Sequence, residues 1–230
     1  MLVHDVRNLL LVAAIQIGRV IERLAADSEE RNALEAVLRT NEQVSALLRD
    51  AIQREAPRRP TPVSDLGALV ERIEPLLRAC VAPRRFHVRA PRAGVRAAVA
   101  AAEAERAIVN LVLNARNATQ PHGTIELEVT RVWLPRDAQT DEFPLGWCAA
   151  VTVRDDGHGI SAQHTARIFE PGFSTRAAAG GNGLGLAAVR EVVERCGGRV
   201  CLESGPGRGT SFQLCFPDAD ASGLAPSGRP

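Results

Sequence analysis

The 230-residue sequence predicts an α+β fold in two parts: an N-terminal helical hairpin, then a sandwich with helices on one face of a mostly antiparallel sheet. Three observations predict it. Apolar residues recur at three- and four-residue steps through the first fifty-odd positions. A proline-rich break over 57–62 separates them from the rest. Beyond it, alternating strand-like segments cluster late in the chain, while helix-like segments stand apart from them.

The first helix, over 2–24, carries Leu2, Val6, Leu9, Ala13, Ile17, Val20 and Leu24 on one stripe. Asp27 and Ser28 are good cap residues, and Glu30 lies three beyond Asp27. A second helix, to about residue 56, carries Leu34, Leu38, Asn41, Ser45, Leu48 and Ile52. Pro57, Pro60 and Pro62, set around Arg58 and Arg59, stop it. Two helices alone cannot bury both faces of such a stripe. The hairpin, residues 1–57, is therefore expected to pair with a second copy in a four-helix bundle, making the protein a homodimer.

The second domain is expected over 63–217. It reads as a helix at 65–80, a strand at 85–90 and an alanine-rich helix at 96–119. Strands follow at 124–134 and 147–154, with a polar loop over 135–146 between them. A Gly- and Ala-rich stretch fills 157–183, a helix runs over 184–196, and strands at 199–203 and 210–216 close the domain. The remainder, 218–230, is rich in Ala, Gly, Ser and Pro and is expected to be a disordered tail. The sequence contains no internal repeat.

Composition narrows the function. With 28 basic and 27 acidic residues, the net charge of +1 gives no electrostatic case for nucleic acid. No apolar run is long enough to span a bilayer, and no signal peptide opens the chain, so a cytoplasmic location without membrane contact is expected. The five cysteines are odd in number and lack C-x-x-C spacing, which reads as reduced thiols rather than a metal site.

Four clusters make sense together as a nucleotide site. Asn110, Asn114 and Asn117 fall on one face of the alanine-rich helix. An amide oxygen there suits Mg²⁺, a hard ion that takes few protein ligands. Asp155-Asp156-Gly157-His158-Gly159 leaves a strand. A carboxylate at a strand end can accept the amino hydrogen of adenine, with glycines turning the backbone under the base. Phe169 and Phe173 lie in the glycine-rich stretch, where they can anchor a lid that brings Arg176 to a phosphate. Gly180-Gly181-Asn182-Gly183-Leu184-Gly185 opens a helix, whose N-terminal N–H groups favour phosphate.

The order and spacing of these clusters resemble the bacterial two-component sensor histidine kinases. Residues 110–118 resemble their N box, 155–159 their first glycine box, 169–173 their F box and 181–185 their second glycine box. Residues 205–210, ending in Thr210, resemble the final glycine turn. The resemblance covers about 64–217 and implies a Bergerat-type ATP-binding sandwich, with Asn114 holding Mg²⁺ and Asp155 the adenine. The related gyrase-, Hsp90- and MutL-like ATPases usually carry a glutamate, to activate water, one turn before that asparagine. Here Asn110 stands there, which disfavours simple hydrolysis and fits transfer to a better nucleophile.

His4-Asp5-Val6-Arg7-Asn8 resembles the family's phosphoacceptor box. A neutral imidazole nitrogen can attack the γ-phosphorus while Asp5 orients the proton on the other nitrogen. Asn8, one turn on, matches a position that helps dephosphorylate the partner. The resemblance thus implies autophosphorylation of His4 from Mg-ATP, then transfer to an aspartate of a response-regulator receiver domain. His4 lies closer to the start of the chain than is usual in the family, which suggests a piece of a longer protein or, alternatively, a stand-alone core driven by another partner. The competing readings are a histidine phosphotransfer adaptor without ATP chemistry and a chaperone- or topoisomerase-like ATPase.

Overall fold

The computed structural model describes residues 62–91, 94–134, 146–170, 172–173 and 185–220, together with scattered positions between Ala13 and Asn41. The chain divides into two compact units, Met1–Pro60 and Thr61–Pro230.

In the first unit, Ala13, Ile17, Val20 and Ile21 are helical, as are 29–31, 33–34, 36–37 and 40–41. The Ser28 hydroxyl accepts the Arg31 N–H at 3.2 Å, the helix-start bond that its position suggests. The Arg31 guanidinium donates to the Ile21 carbonyl at 3.2 Å, tying the two helical stretches together. Val20 and Val37 are exposed. The hairpin as a whole, with His4, Asp5 and Asn8, lies outside the described residues.

The second unit is built on five strands. In chain order the elements are β1 (Ser64–Asp65), α1 (Leu66–Val81), β2 (Arg85–Arg89), β3 (Arg96–Ala97), α2 (Ala101–Ala118), β4 (Thr124–Leu134), β5 (Gly146–Asp155), α3 (Ala162–Thr165), α4 (Gly185–Arg195), β6 (Arg199–Ser204) and β7 (Thr210–Pro217). The main sheet runs β2-β4-β5-β7-β6. All its pairings are antiparallel except β2 with β4, which is parallel. Along one sheet face Ile125, Leu127, Val129, Ala149, Val151, Val153, Phe212, Leu214 and Phe216 are buried. The apolar stripes of α1, α2 and α4 close this core, through Leu66, Ile73 and Leu77, Ile108, Leu111 and Val112, and Val189 and Val193.

Local chemistry explains the element starts. The Asp65 carboxylate caps α1 by accepting the Ala68 N–H at 3.0 Å. The alanine-rich helix expected from residue 96 begins instead at Ala101. Backbone partners claim the residues before it. Ser64 and Asp65 pair with Ala97 and Arg96, and the Leu66 N–H donates to Val95 at 2.9 Å. These long-range bonds outweigh helix propensity.

Residues 218–220, expected as the start of the tail, are held in place. Asp218 is buried and pairs with Arg131, its N–H donates to the Trp147 carbonyl at 3.2 Å, and Asp220 pairs with Arg96 at 2.9 Å. Low hydrophobicity marked the segment as disordered, but two carboxylates with arginine partners fix its first three residues. Residues 221–230 lie outside the described ones. Among the described residues no helix is long and apolar enough to cross a membrane.

Candidate functional site

The candidate site sits where β5 ends and β7 begins. Asp155, the last residue of β5, lies opposite Thr210, the first of β7. Burial pushes the Asp155 carboxyl up to about 6, against the pull of hydrogen bonds from the Gly157 and Thr210 N–H groups and of nearby His158. The Gly157 N–H reaches Oδ1 at 2.9 Å. Asp155 is thus a half-buried carboxylate held at the end of β5.

The turn that follows needs its glycines. A Cβ on Gly157 would lie 2.4 Å from the Ala118 carbonyl oxygen. Gly159 has a φ of +70°, and its Cβ would fall 1.9 Å from the Gly205 oxygen. The His158 N–H donates to Ala118 at 3.2 Å, so the turn is pinned to the end of α2. That brings Asn114, one turn earlier on α2, to the same region.

Asn114 is distinctive. Its Nδ2 is buried and has no hydrogen-bond partner. A buried N–H donor without an acceptor fits a group held for a ligand that supplies one, since each orphaned polar atom costs roughly 1–3 kcal/mol. A hard cation taken through the amide oxygen fits this side chain. Asn110 differs: its Nδ2 donates to the Gly185 carbonyl at 3.5 Å, joining α2 to the start of α4. Asn117 is exposed. Among the described residues no cluster of three or more His, Cys, Asp or Glu could hold a metal.

Phe169 stands edge-on to Phe212 at 6.4 Å, with the Arg190 guanidinium 5.6 Å from its ring centroid. Phe173 packs beside His164 and under Arg167. The two phenylalanines therefore anchor the start of the glycine-rich stretch. Arg176, Gly181, Gly183 and Leu184 lie outside the described residues. Gly185 begins α4.

Three contributors escaped the sequence reading. Asp156 accepts the Thr124 N–H with both oxygens at 2.9 Å, fixing the start of β4. The Ser204 hydroxyl accepts the Ile160 N–H at 2.8 Å and donates to the Gly209 carbonyl at 2.9 Å, clasping the two glycine turns together. It also meets the Thr210 hydroxyl at 3.0 Å. Arg190, whose partner Glu194 lies one turn on at 2.6 Å, braces Phe169. Only a hydroxyl just before a glycine turn signalled Ser204, and nothing signalled Arg190.

Residues 100–220 match the family described as histidine kinase-, DNA gyrase B-, and HSP90-like ATPase. The chain is 34% identical over 115 residues to the sensor kinase CckA of Brucella abortus (strain 2308), a match covering 49% of this chain and 12% of that protein. It is 36% identical over 113 residues to the sensor histidine kinase ZraS of Klebsiella oxytoca, covering 49% and 21%. The matched stretch is thus a small part of either relative. Among solved structures, the mycobacterial sensor histidine kinase MprB superposes with a TM-score of 0.54 at 22% identity, covering 69% of this chain and 97% of that one. Full-length ShkA in complex with AMPPNP gives 0.57 at 21%, covering 96% and 45%. At these identities the structural likeness is one of fold.

Proposed function

We propose that this chain, which belongs to the histidine kinase-, DNA gyrase B- and HSP90-like ATPase family through residues 100–220, is the core of a sensor histidine kinase that phosphorylates its own His4 and passes the group to an aspartate of a response-regulator receiver domain. An ATPase domain of this family implies ATP binding, and the curated relatives CckA and ZraS are named as sensor kinases. One observation carries the site reading. A half-buried carboxylate and an unpartnered buried amide stand beside glycine turns that leave no room for a side chain. The complex of ShkA with AMPPNP supports the same choice of ligand.

In this reading Asp155 accepts a hydrogen from the adenine amino group. The Gly157 N–H keeps the carboxylate aimed, and the glycines let the turn pack directly on the backbone of Ala118 and Gly205, which fixes where the carboxylate stands. Asn114 holds Mg²⁺ through its amide oxygen; that ion, when bound, neutralises phosphate charge. Phe169, braced by Phe212 and Arg190, anchors the segment that carries Arg176, Gly181 and Gly183 towards the phosphates. Asn110 sits where related ATPases place a water-activating glutamate, and its amide is engaged with Gly185. An amide cannot take a proton from water at neutral pH, so water is a poor acceptor here. The neutral imidazole of His4 is the better nucleophile, with Asp5 orienting it and Asn8 serving the reverse reaction. The hairpin over 1–57 pairs two copies, and exposed Val20 and Val37 give it apolar surface to bury.

The test is incubation of the full chain with Mg²⁺ and γ-labelled ATP, comparing wild type with His4→Gln. Acid-labile, alkali-stable label is expected on the wild type alone. Label that survives in His4→Gln sinks the assignment of the acceptor. Failure of the wild type to bind nucleotide sinks the ATP site as well.

A further inference from the structure

One row of side chains crosses three strands at the glycine end of the sheet. Asp155 of β5 lies opposite Thr210 of β7, and Thr210 lies opposite Ser204 of β6. Residues directly opposite in an antiparallel pair share a face, with Cβ atoms roughly 4.5–5.5 Å apart. Two positions along each strand, Val153, Phe212 and Leu202 form the next row of that face. Val153 and Phe212 are buried in the core, so the polar row stands on the helix side, over an apolar floor. Thr210 is itself buried, and its hydroxyl lies 3.0 Å from that of Ser204.

This row has few hydrogens to share. The Ile160 N–H donates to Ser204 at 2.8 Å, and an N–H can only donate. Ser204 then has one hydrogen of its own and two acceptors within reach, the Gly209 carbonyl at 2.9 Å and the Thr210 hydroxyl at 3.0 Å. When that hydrogen goes to Gly209, the Thr210 hydrogen points back to Ser204. When it goes to Thr210, the Thr210 hydrogen is released next to Asp155.

We propose that Ser204 is a positioning residue for nucleobase recognition: it makes the Thr210 hydroxyl a donor beside the Asp155 acceptor, and so selects a base edge with an amino donor beside a ring-nitrogen acceptor. Adenine carries that edge at N6 and N1. Hypoxanthine and guanine carry the reverse, a carbonyl beside a ring N–H. The role rests on the reading of Asp155 as the adenine acceptor. Along the series from the Ile160 N–H through Ser204 and Thr210 to N1, every donor points the same way, and bonds in such a series strengthen one another. Thr210 reaches N1 directly or through one water. Without the Ser204 oxygen, the Thr210 hydroxyl loses the neighbour that sets its rotation.

The full chain is titrated calorimetrically with ADP and with 1-deaza-ADP, which keeps the amino group but has C–H in place of N1. Neither carries a γ-phosphate, so binding is read without phosphotransfer. Wild type should bind ADP about tenfold more tightly than the analogue, the worth of one hydrogen bond. In Ser204→Ala that ratio should fall to about threefold or less, and Ser204→Thr, which keeps a hydroxyl, should restore it. In a Thr210→Val background, Ser204→Ala should leave the ratio where it was. A purely structural clasp would lower both affinities by one factor and leave the ratio unmoved, and that result overturns the proposal. So does a ratio that Ser204→Ala shifts equally with and without the Thr210 hydroxyl. A wild-type ratio near one overturns it with no variant needed. Wild type that binds neither nucleotide removes the ATP reading and this role together, whereas tight ADP binding with an unmoved ratio removes the role of Ser204 alone.

Discussion

The two ends of the central sheet are held by different means. Where β5 stops and β7 starts, backbone meets backbone. Gly209 lies so close to Asp155 that a Cβ would sit 1.9 Å from its carbonyl oxygen, and Gly159 stands in the same relation to Gly205. At the opposite end large side chains do the joining. Trp133 meets Trp147 edge-on at 5.7 Å, Arg131 lies 5.5 Å from the centroid of the Trp147 ring, and its Nε pairs with the buried carboxylate of Asp218. On the proposed reading the difference separates binding from bracing. The glycine end closes with few side chains, and on that reading the Asp155 carboxylate and the Asn114 amide take the ligand there. The tryptophan end matches Arg131 to Asp218 and Arg96 to Asp220.

The sharpest break of this comparison is a methyl group at Gly159. Gly159 and Gly207 share a φ of +70°, but nothing lies within 4 Å of a Cβ at Gly207. Gly207→Ala therefore meets only the left-handed backbone cost, about 1–2 kcal/mol. Gly159→Ala adds a collision with carbonyl backbone, for a total loss on the order of 3 kcal/mol or more. Urea midpoints of the two variants measure the gap. Equal losses would mean that the turns are not tightly apposed.

Asp155→Asn separates binding from folding at the same end. Its folded carboxyl is raised to about 6 from an ordinary 3.8. The group therefore favours the folded state fully below pH 3.8, and that contribution is lost as pH rises through 6. At pH 7.5 the wild type carries a half-buried charge, and Asp155→Asn should melt no lower than it does. ATP affinity should nevertheless fall about 10–100-fold, the worth of one charged hydrogen bond. Wild-type affinity should itself decline below pH 6, as the acceptor becomes protonated. Calorimetric titration across pH reads both effects, and a flat profile would remove Asp155 from the base site.

The same contrast explains what the sequence made legible. Glycines required by close backbone approach recur at fixed offsets from Asp155, so the site appears in the sequence as a motif. The strands, apart from β3 and the two-residue β1, were readable from alternation in the sequence, which burial matches most plainly in β4, whereas β5 is buried on both faces over 148–153. β3 was not: alanine-rich residues 96–100 carry helix propensity, and the bonds that overrule it come from β1 and Pro217. Ser204 and Arg190 act through partners 44 and 21 positions away, at Ile160 and Phe169, and local pattern does not encode such distances. Asp218 was misread for the same reason. Its arginine lies 87 positions earlier, on β4.

Asp218 also supplies the smallest effect and the cleanest control. Its carboxylate side chain is 1% exposed, while the Arg131 side chain is 41% exposed. Truncating the charge by Asp218→Asn keeps the shape and the acceptor for the Asp220 N–H, which lies 2.8 Å away. It loses the ion pair with Arg131, whose guanidinium can turn to water. The cost should therefore stay near 1–2 kcal/mol, below that of stranding a fully buried charge. Thermal melts should fall by a few degrees while ATP affinity stays at the wild-type value, because the pair lies at the end of the sheet away from Asp155. A change in affinity without a change in stability would show the two ends to be coupled, and the division between a bracing end and a binding end would fail.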